Sequence, residues 1–315
     1  HHTVLLEWTA GDPTAATYDG GPPRELMRFE QPFANHNAGH LAFRPVAAGQ
    51  PDYGLLYVGV ADGGSGGDPL DLAQNRRSAF GKVLRIDPLG SNSANGEYGI
   101  PADNPFVGDG AASTLGEIYA LGVRNPQRFG WDPANGNMFL ADIGQNAVEE
   151  VSLVTPGANL GWNVWEGSFR FVSREGVAAT NPRSDASVTY PVVEYAHFDP
   201  LIQARAAVTG IIVHRASGIP QLDGRVLFGD FPSGEIFWFD ADDPPEGGNQ
   251  GFRRVLLRNG GEPMTLLELI RAKNAEQGDV PAERADLRFG EGSDGRVFLL
   301  NKHDGTIRLM VPPQR

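Results

Sequence analysis

An all-β architecture of repeated antiparallel sheets is what this sequence predicts, on three observations. A unit of strand, turn, strand, turn, strand recurs along the chain; glycine (41) and proline (24) are abundant with no triplet period; and a single stretch carries a helix signature. Short apolar runs broken by dense turn residues mean tight chain reversals, not collagen or disorder. Residues 3–9 and 25–30 read as two strands across a Gly/Pro/Asp-rich loop. The unit then occurs at 40–43 with 55–61 and 82–87, and again at 128–131 with 137–141 and 149–154. It returns at 210–214 with 225–229 and 235–240, and at 286–289 with 296–300 and 306–310. Its spacing of roughly 80 residues is about twice that of a compact propeller blade, so long loops separate the strands of degenerate four-stranded blades. The helix spans 265–277, where Thr265 and Glu268 form a capping box. Leu266, Leu267 and Ile270 give it an apolar face and a packing role.

A chain of 315 residues with 40% hydrophobic content suffices for one large all-β domain, 1–315. In it, 1–30 supply the outer strands of an incomplete blade and 31–315 about four further blades. Asp and Glu (39) outnumber Lys and Arg (26) for a net charge of −13. That balance disfavours nucleic acid and anionic membranes as partners and leaves neutral sugars, cations or basic proteins. Without cysteine there is no disulfide framework and no thiolate metal site. No apolar run approaches the ~18 residues of a membrane span. No signal peptide is visible, although the abrupt start at His1-His2 leaves room for a leader lost upstream.

The chemistry centres on Asn35-His36-Asn37, the strand after it, and the returning strand that runs into Asp62-Gly63-Gly64. A hairpin of that length brings its end back to its beginning, so that His36 and Asp62 meet at one sheet edge. A carboxylate on one ring nitrogen fixes a histidine's tautomer and raises the basicity of the other nitrogen, which makes the pair a candidate general base and its orienter. The alternative is a surface histidine beside a polar turn. His40 and His197 are weaker substrate-site candidates, while His214 and His303 read as structural. Trp131, Trp162, Trp165 and Trp238 are candidates to stack on sugar rings, with packing between blades the simpler role.

A set of motifs falls into order along most of the chain. They are Asn35-His36-Asn37-Ala38-Gly39-His40, Gly81-Lys82-Val83-Leu84-Arg85-Ile86-Asp87, Asp103-Asn104-Pro105-Phe106 and Gly122-Val123-Arg124-Asn125-Pro126. Ala141-Asp142-Ile143-Gly144-Gln145-Asn146, Glu149-Glu150-Val151, Asn159-Leu160-Gly161-Trp162 and Phe228-Gly229-Asp230 follow. The set resembles the soluble glucose/sorbosone dehydrogenase family, which includes aldose dehydrogenases dependent on pyrroloquinoline quinone (PQQ) and Hedgehog-interacting relatives. The resemblance implies a six-bladed β-propeller of four-stranded antiparallel blades, about one and a half of which precede this chain, and a periplasmic or secreted location.

It also implies roles. His36 would take the proton of an aldose C1 hydroxyl as hydride leaves for the quinone, and Asp62 would hold His36. Arg124 and Asn125 would touch the quinone, the guanidinium facing charge that develops on an oxygen. Backbone carbonyls of Gly144 and Gln145 would bind calcium under the cofactor, and Glu149 and Glu150 would serve a second, structural ion. The sequence departs from the family where the quinone carboxylates are held. Pro232 stands in place of a lysine and Ala285 and Leu287 in place of an arginine pair, with Arg284 and Arg288 nearby; Asn35 replaces an aspartate before the base. The leading function is a PQQ- and calcium-dependent aldose dehydrogenase with an external electron acceptor. Loss of the cations favours the alternative, a non-catalytic propeller that binds a protein or glycan. A calcium-dependent lactonase is third, and requires convergent Glu, Asp and Asn side chains in the central channel.

Overall fold

The structure, a computed structural model, describes residues 1–111, 113–202, 206–216 and 218–313, Ala38 by its backbone only. Its sheets follow the repeats and extend them. Blade A pairs Ala38–Phe43, Leu56–Val60, Lys82–Ile86 and Ile118–Leu121 in that order, all antiparallel. Blade B runs Pro126–Trp131, Met138–Asp142, Val148–Val154 and Val193–Ala196, and blade C runs Val208–His214, Arg225–Asp230, Ile236–Asp240 and Arg253–Val255. Blade D has three strands, Arg288–Glu291, Val297–Leu300 and Arg308–Leu309, rather than the four expected of a full blade. The N-terminal strands His2–Glu7 and Arg24–Glu30 pair with each other and lay Leu5, Leu26 and Met27 into the core of blade A.

The first strands of the four blades pack successively, A on B, B on C and C on D, a propeller-like arrangement. Side chains of a strand alternate between its two faces, so each blade feeds a core on either side. Tyr57 and Tyr119 of blade A meet Phe129, Trp131 and Leu140 of blade B, with Tyr57 edge-on to Trp131 at 4.9 Å. Phe139 and Tyr195 of blade B meet Phe228 and Phe239 of blade C, where Phe139 lies edge-on to Phe239 at 5.4 Å. Each such ring contributes about 1.5–3 kcal/mol by burial, so these aromatic seams hold neighbouring blades together.

The helix, Leu266–Gln277, begins at Thr265 with the reciprocal Glu268 capping box and ends at Gly278 in the left-handed conformation. It buries Leu266, Leu269 and Ile270 and leaves Leu267 partly covered, so its apolar face is turned slightly from the one predicted. It packs on Ile236, Leu287 and Leu299, at the seam of blades C and D.

What positions the site is a set of irregularities in the first strands. Register slips fall between Ala38 and Leu41, between Pro126 and Arg128, and between Thr209 and Ile212. A bulge re-aims side chains and breaks the ladder, and here three neighbouring blades carry one in the same strand. Gly39 is required in the first of them, because a Cβ there would sit 2.7 Å from the Pro126 carbonyl oxygen.

Candidate functional site

In blade A's first hairpin Ala38 pairs with Val60, and His36 Nδ1 lies 2.7 Å from Asp62 Oδ1. Asp62 is buried; its Oδ1 also accepts from Gly64 N–H (2.9 Å) and its Oδ2 from Trp162 Nε1–H (2.9 Å). A carboxylate only accepts, so the proton of His36 belongs on Nδ1 and the lone pair on Nε2. His36 adopts a left-handed backbone conformation, φ 52°, uncommon for a residue with a Cβ and held here by the carboxylate contact. Asn35 Oδ1 accepts from Ser65 N–H at 3.1 Å, which ties the turn before His36 to the loop after Asp62. That loop is stapled by the buried Lys82, whose ammonium donates to the carbonyls of Leu72 and Ala73 at 2.9 Å and of Phe80 at 2.7 Å. Burial pulls the Lys82 pKa down to about 7.

Arg124 faces this pair from blade B. Asp142 accepts the N–H groups of Arg124 (2.7 Å) and Asn125 (2.6 Å), while Asp62 N–H donates to the Arg124 carbonyl (2.8 Å). Burial pushes Asp142 up to about 7 against the opposing pull of the two amides. The Arg124 guanidinium donates to the carbonyls of Ile143 (2.8 Å) and Gly144 (2.7 Å) and to Gln145 Oε1 (3.1 and 3.2 Å). It lies 5.5 Å from the Trp162 ring centroid and brings Nη2 to 3.4 Å from His36 Nε2. A base nitrogen and a fixed cation therefore face each other, with Asn125 half-buried beside them.

The other expected residues divide. The Gly144 carbonyl is already engaged by Arg124, and Gln145 Oε1 also accepts from Gly67 N–H at 2.9 Å. Glu149 Oε1 lies 2.7 Å from His197 Nε2, a close approach without hydrogen-bond alignment, and its Oε2 accepts Val208 N–H at 2.8 Å, so Glu149 and His197 face each other across a strand end. Burial lowers the His197 pKa, yet the Glu149 contact outweighs it and the net shift is upward. Glu150 Oε1 accepts Gly167 N–H at 2.9 Å; burial drives its pKa well above the carboxylate range, and Asp142, Glu194 and Glu166 add to the rise. His40 sits edge-on to Phe129 at 4.6 Å, apart from the His36 pair, its pKa pulled down to about 4 by burial and by the charge of Arg128.

Two residues that the sequence did not single out for these roles prove central. Trp162 is the indole donor to Asp62, and Glu166 Oε1 gathers the N–H groups of Gln145 (2.9 Å), Asn146 (2.8 Å), Ala147 (2.7 Å) and Val148 (3.3 Å) while its Oε2 is buried without a partner. Glu166 Oε2 thus offers an oxygen to a hard cation, although among the described residues no group of three or more His, Asp or Glu converges on one point. The positions of the expected cations do adjoin: Ala285 N–H donates to the Pro232 carbonyl at 2.7 Å, with Ala285 and Leu287 buried. Arg284 pairs with Asp286 and lies 4.7 Å from the Phe231 ring, and Arg288 lies over the same ring at 4.0 Å. Among the described residues no helix is long and apolar enough to cross a membrane.

Fold and site together define an all-β, propeller-like protein with a carboxylate-held histidine facing an arginine. Residues 25–255 match the family model for Glucose / Sorbosone dehydrogenase, and the chain belongs to that family. It is 31% identical over 330 residues to the HIPL1 protein of Arabidopsis thaliana, covering 99% of this chain and 45% of that one. It is 30% identical over 128 residues to the aldose sugar dehydrogenase YliI of Escherichia coli (strain K12), covering 41% of this chain and 29% of that one. The chain spans about half the length (45%) of the HIPL1 and HIPL2 proteins it matches. The PQQ-bound aldose sugar dehydrogenase of Streptomyces coelicolor shares the fold at TM-score 0.58 and 20% identity, covering 95% of this chain and 66% of that one. The apo aldose sugar dehydrogenase of Escherichia coli shares it at TM-score 0.63 and 18% identity, covering 98% of this chain and 77% of that one.

Proposed function

We propose that this protein is a quinone-dependent sugar dehydrogenase that oxidises the C1 hydroxyl of an aldose. The observation that carries this reading is the alignment of Asp62, His36 and Arg124, with Nδ1 held at 2.7 Å and Nε2 left as a base 3.4 Å from a guanidinium. Arg124 and Asn125 would hold PQQ on this side, Arg124 by exchanging its Gln145 contacts for quinone oxygens, and bound PQQ would supply the hydride acceptor. His36 Nε2 takes the hydroxyl proton, and Asp62 steadies the imidazolium that results. Arg124 stabilises negative charge building on an oxygen within its reach, held ready by the carbonyls of Ile143 and Gly144. Trp162, buried beneath that guanidinium, keeps water away from the Asp62 carboxylate.

Calcium on the carbonyls of Gly144 and Gln145 would compete with Arg124 for the Gly144 oxygen, and no step here depends on it. Glu166, with Oε2 buried and unpartnered, is the better oxygen donor for an ion. An extracytoplasmic location and an external electron acceptor belong to the same reading. A propeller that binds a protein or glycan without turnover is the second reading. It is favoured by the missing cations at Pro232, Ala285 and Leu287 and by the internal satisfaction of Arg124. Calorimetric titration of PQQ, with and without calcium, followed by aldose-dependent dye reduction separates the two. Binding with turnover that His36→Ala abolishes supports the dehydrogenase; no binding at high micromolar PQQ sinks it.

A further inference from the structure

We infer that Arg128 and Arg288 form a carboxylate-binding site across the first strands of blades B, C and D, in place of the cations missing at Pro232, Ala285 and Leu287. The inference rests on the reading of these strands as lining a cofactor or sugar site. Arg128 stands at the bulge of blade B, and Arg288 opens blade D. Thr209, at the bulge of blade C, links them: Arg288 Nη1 lies 3.4 Å from Thr209 Oγ1, which donates to Gln127 Oε1 at 3.2 Å. Arg128 Nη1 donates to the Gln127 carbonyl at 2.7 Å, and Arg288 Nη1 to that of Leu287 at 3.0 Å.

What sets these two arginines apart is that both lack a carboxylate partner, both are half-buried, and the charge of one bears on the other. Arg85, Arg215 and Arg254 each pair with a carboxylate, as expected where acids outnumber bases. Among the described residues no carboxylate pairs with Arg128 or Arg288. Asp286 is near Arg288 but is engaged by Arg284, Lys302 and His303. Both guanidiniums are half-buried: burial lowers the Arg128 pKa, and Arg288 is pulled down to about 10, first by burial and then by the charge of Arg128. An anion between them relieves both penalties, and a carboxylate matches the guanidinium fork. Phe231 beneath Arg288, at 4.0 Å, fixes the plane of that fork. His40 adjoins Arg128 and, being held neutral, adds a hydrogen-bonding ring without further charge.

The ligand chemistry is a carboxylate, carried either by the quinone cofactor or by a sugar acid. The test measures equilibrium binding of PQQ, of glucuronate and of glucose to the full chain and to Arg128→Gln, Arg288→Gln, the double variant and Arg284→Gln, each checked for folding by circular dichroism. Each single site variant is expected to weaken the carboxylate ligand about 10-fold and the double about 100-fold, the loss of one then two charge-assisted contacts. Arg284→Gln, whose charge is spent on Asp286, changes binding less than twofold. A loss confined to PQQ assigns the site to the cofactor, and one confined to glucuronate assigns it to substrate. Equal affinities in the full chain and the double variant, or no carboxylate bound by the full chain, overturn the site. Aldose-dependent dye reduction by the full chain, measured beside these titrations, keeps that failure distinct from failure of the dehydrogenase reading: turnover with equal affinities removes the carboxylate site alone.

Discussion

Asp62→Asn tests how the base is held, because the three donors around that carboxylate leave an amide no satisfactory orientation. His36 Nδ1 and Gly64 N–H share Oδ1, and Trp162 Nε1–H takes Oδ2. With its amino group at the Oδ2 position, asparagine still holds the His36 proton but sets N–H against the buried indole N–H. With its amino group at Oδ1 it meets Gly64 N–H and drives the His36 proton to Nε2, the nitrogen needed as base. The first arrangement disturbs less. It costs about 1–3 kcal/mol for a buried donor left unmade, and it removes the charge that steadies the imidazolium. In a Trp162→Phe background the indole conflict is gone, so the same substitution costs about 1–2 kcal/mol less. Urea unfolding of the four proteins in this cycle measures the coupling, and NMR of the His36 ring nitrogens reads the tautomer. Additivity within about 0.5 kcal/mol, or a proton already on Nε2 in the unmodified protein, would refute the reasoning.

Three further perturbations probe the scaffold. His40 is neutral in the fold down to about pH 4 but titrates near 6.5 when unfolded, so the unfolded chain takes up the proton first as pH falls. Stability is then full above the unfolded value and declines by up to about 3 kcal/mol as pH drops toward 4; His40→Gln flattens that decline, and identical urea midpoints against pH for both proteins would contradict it. Gly39→Ala places a methyl group 2.7 Å from the Pro126 carbonyl oxygen and is expected to destabilise by about 1–3 kcal/mol in chemical denaturation. Thr265→Ala removes the acceptor for Glu268 N–H at the start of the helix and lowers stability by about 1 kcal/mol, read as a fall in denaturation midpoint at constant slope.

What the sequence discloses follows the range of the interactions involved. His36 and Asp62 are legible because one hairpin, with its strand period and a turn, forces them together, and Thr265 with Glu268 because a capping box is complete within four residues. Blade strands built from contiguous apolar runs are equally plain, whereas Ile118–Leu121 and Val193–Ala196 follow long loops and join their sheets only through pairing that no local pattern announces. Glu166 is harder still. Nothing in Trp165-Glu166-Gly167 shows that its carboxylate will gather four amides from residues 145–148, because that geometry exists only once the small sheet of Trp165–Glu166, Phe169–Ser173 and Gly176–Ala178 has formed.

The arginines mark the limit of motif reading. A missing cation at Pro232 can be read from a family pattern, since the pattern names the position. A replacement cannot, because Arg128, Thr209 and Arg288 lie on three strands far apart in the chain and are linked only by the bulges and side-chain contacts of the folded blades. A site can therefore lose its expected residues in the sequence and regain their charge in space. Whether it has done so is decided by which cations are left without acids, and that depends on the whole fold.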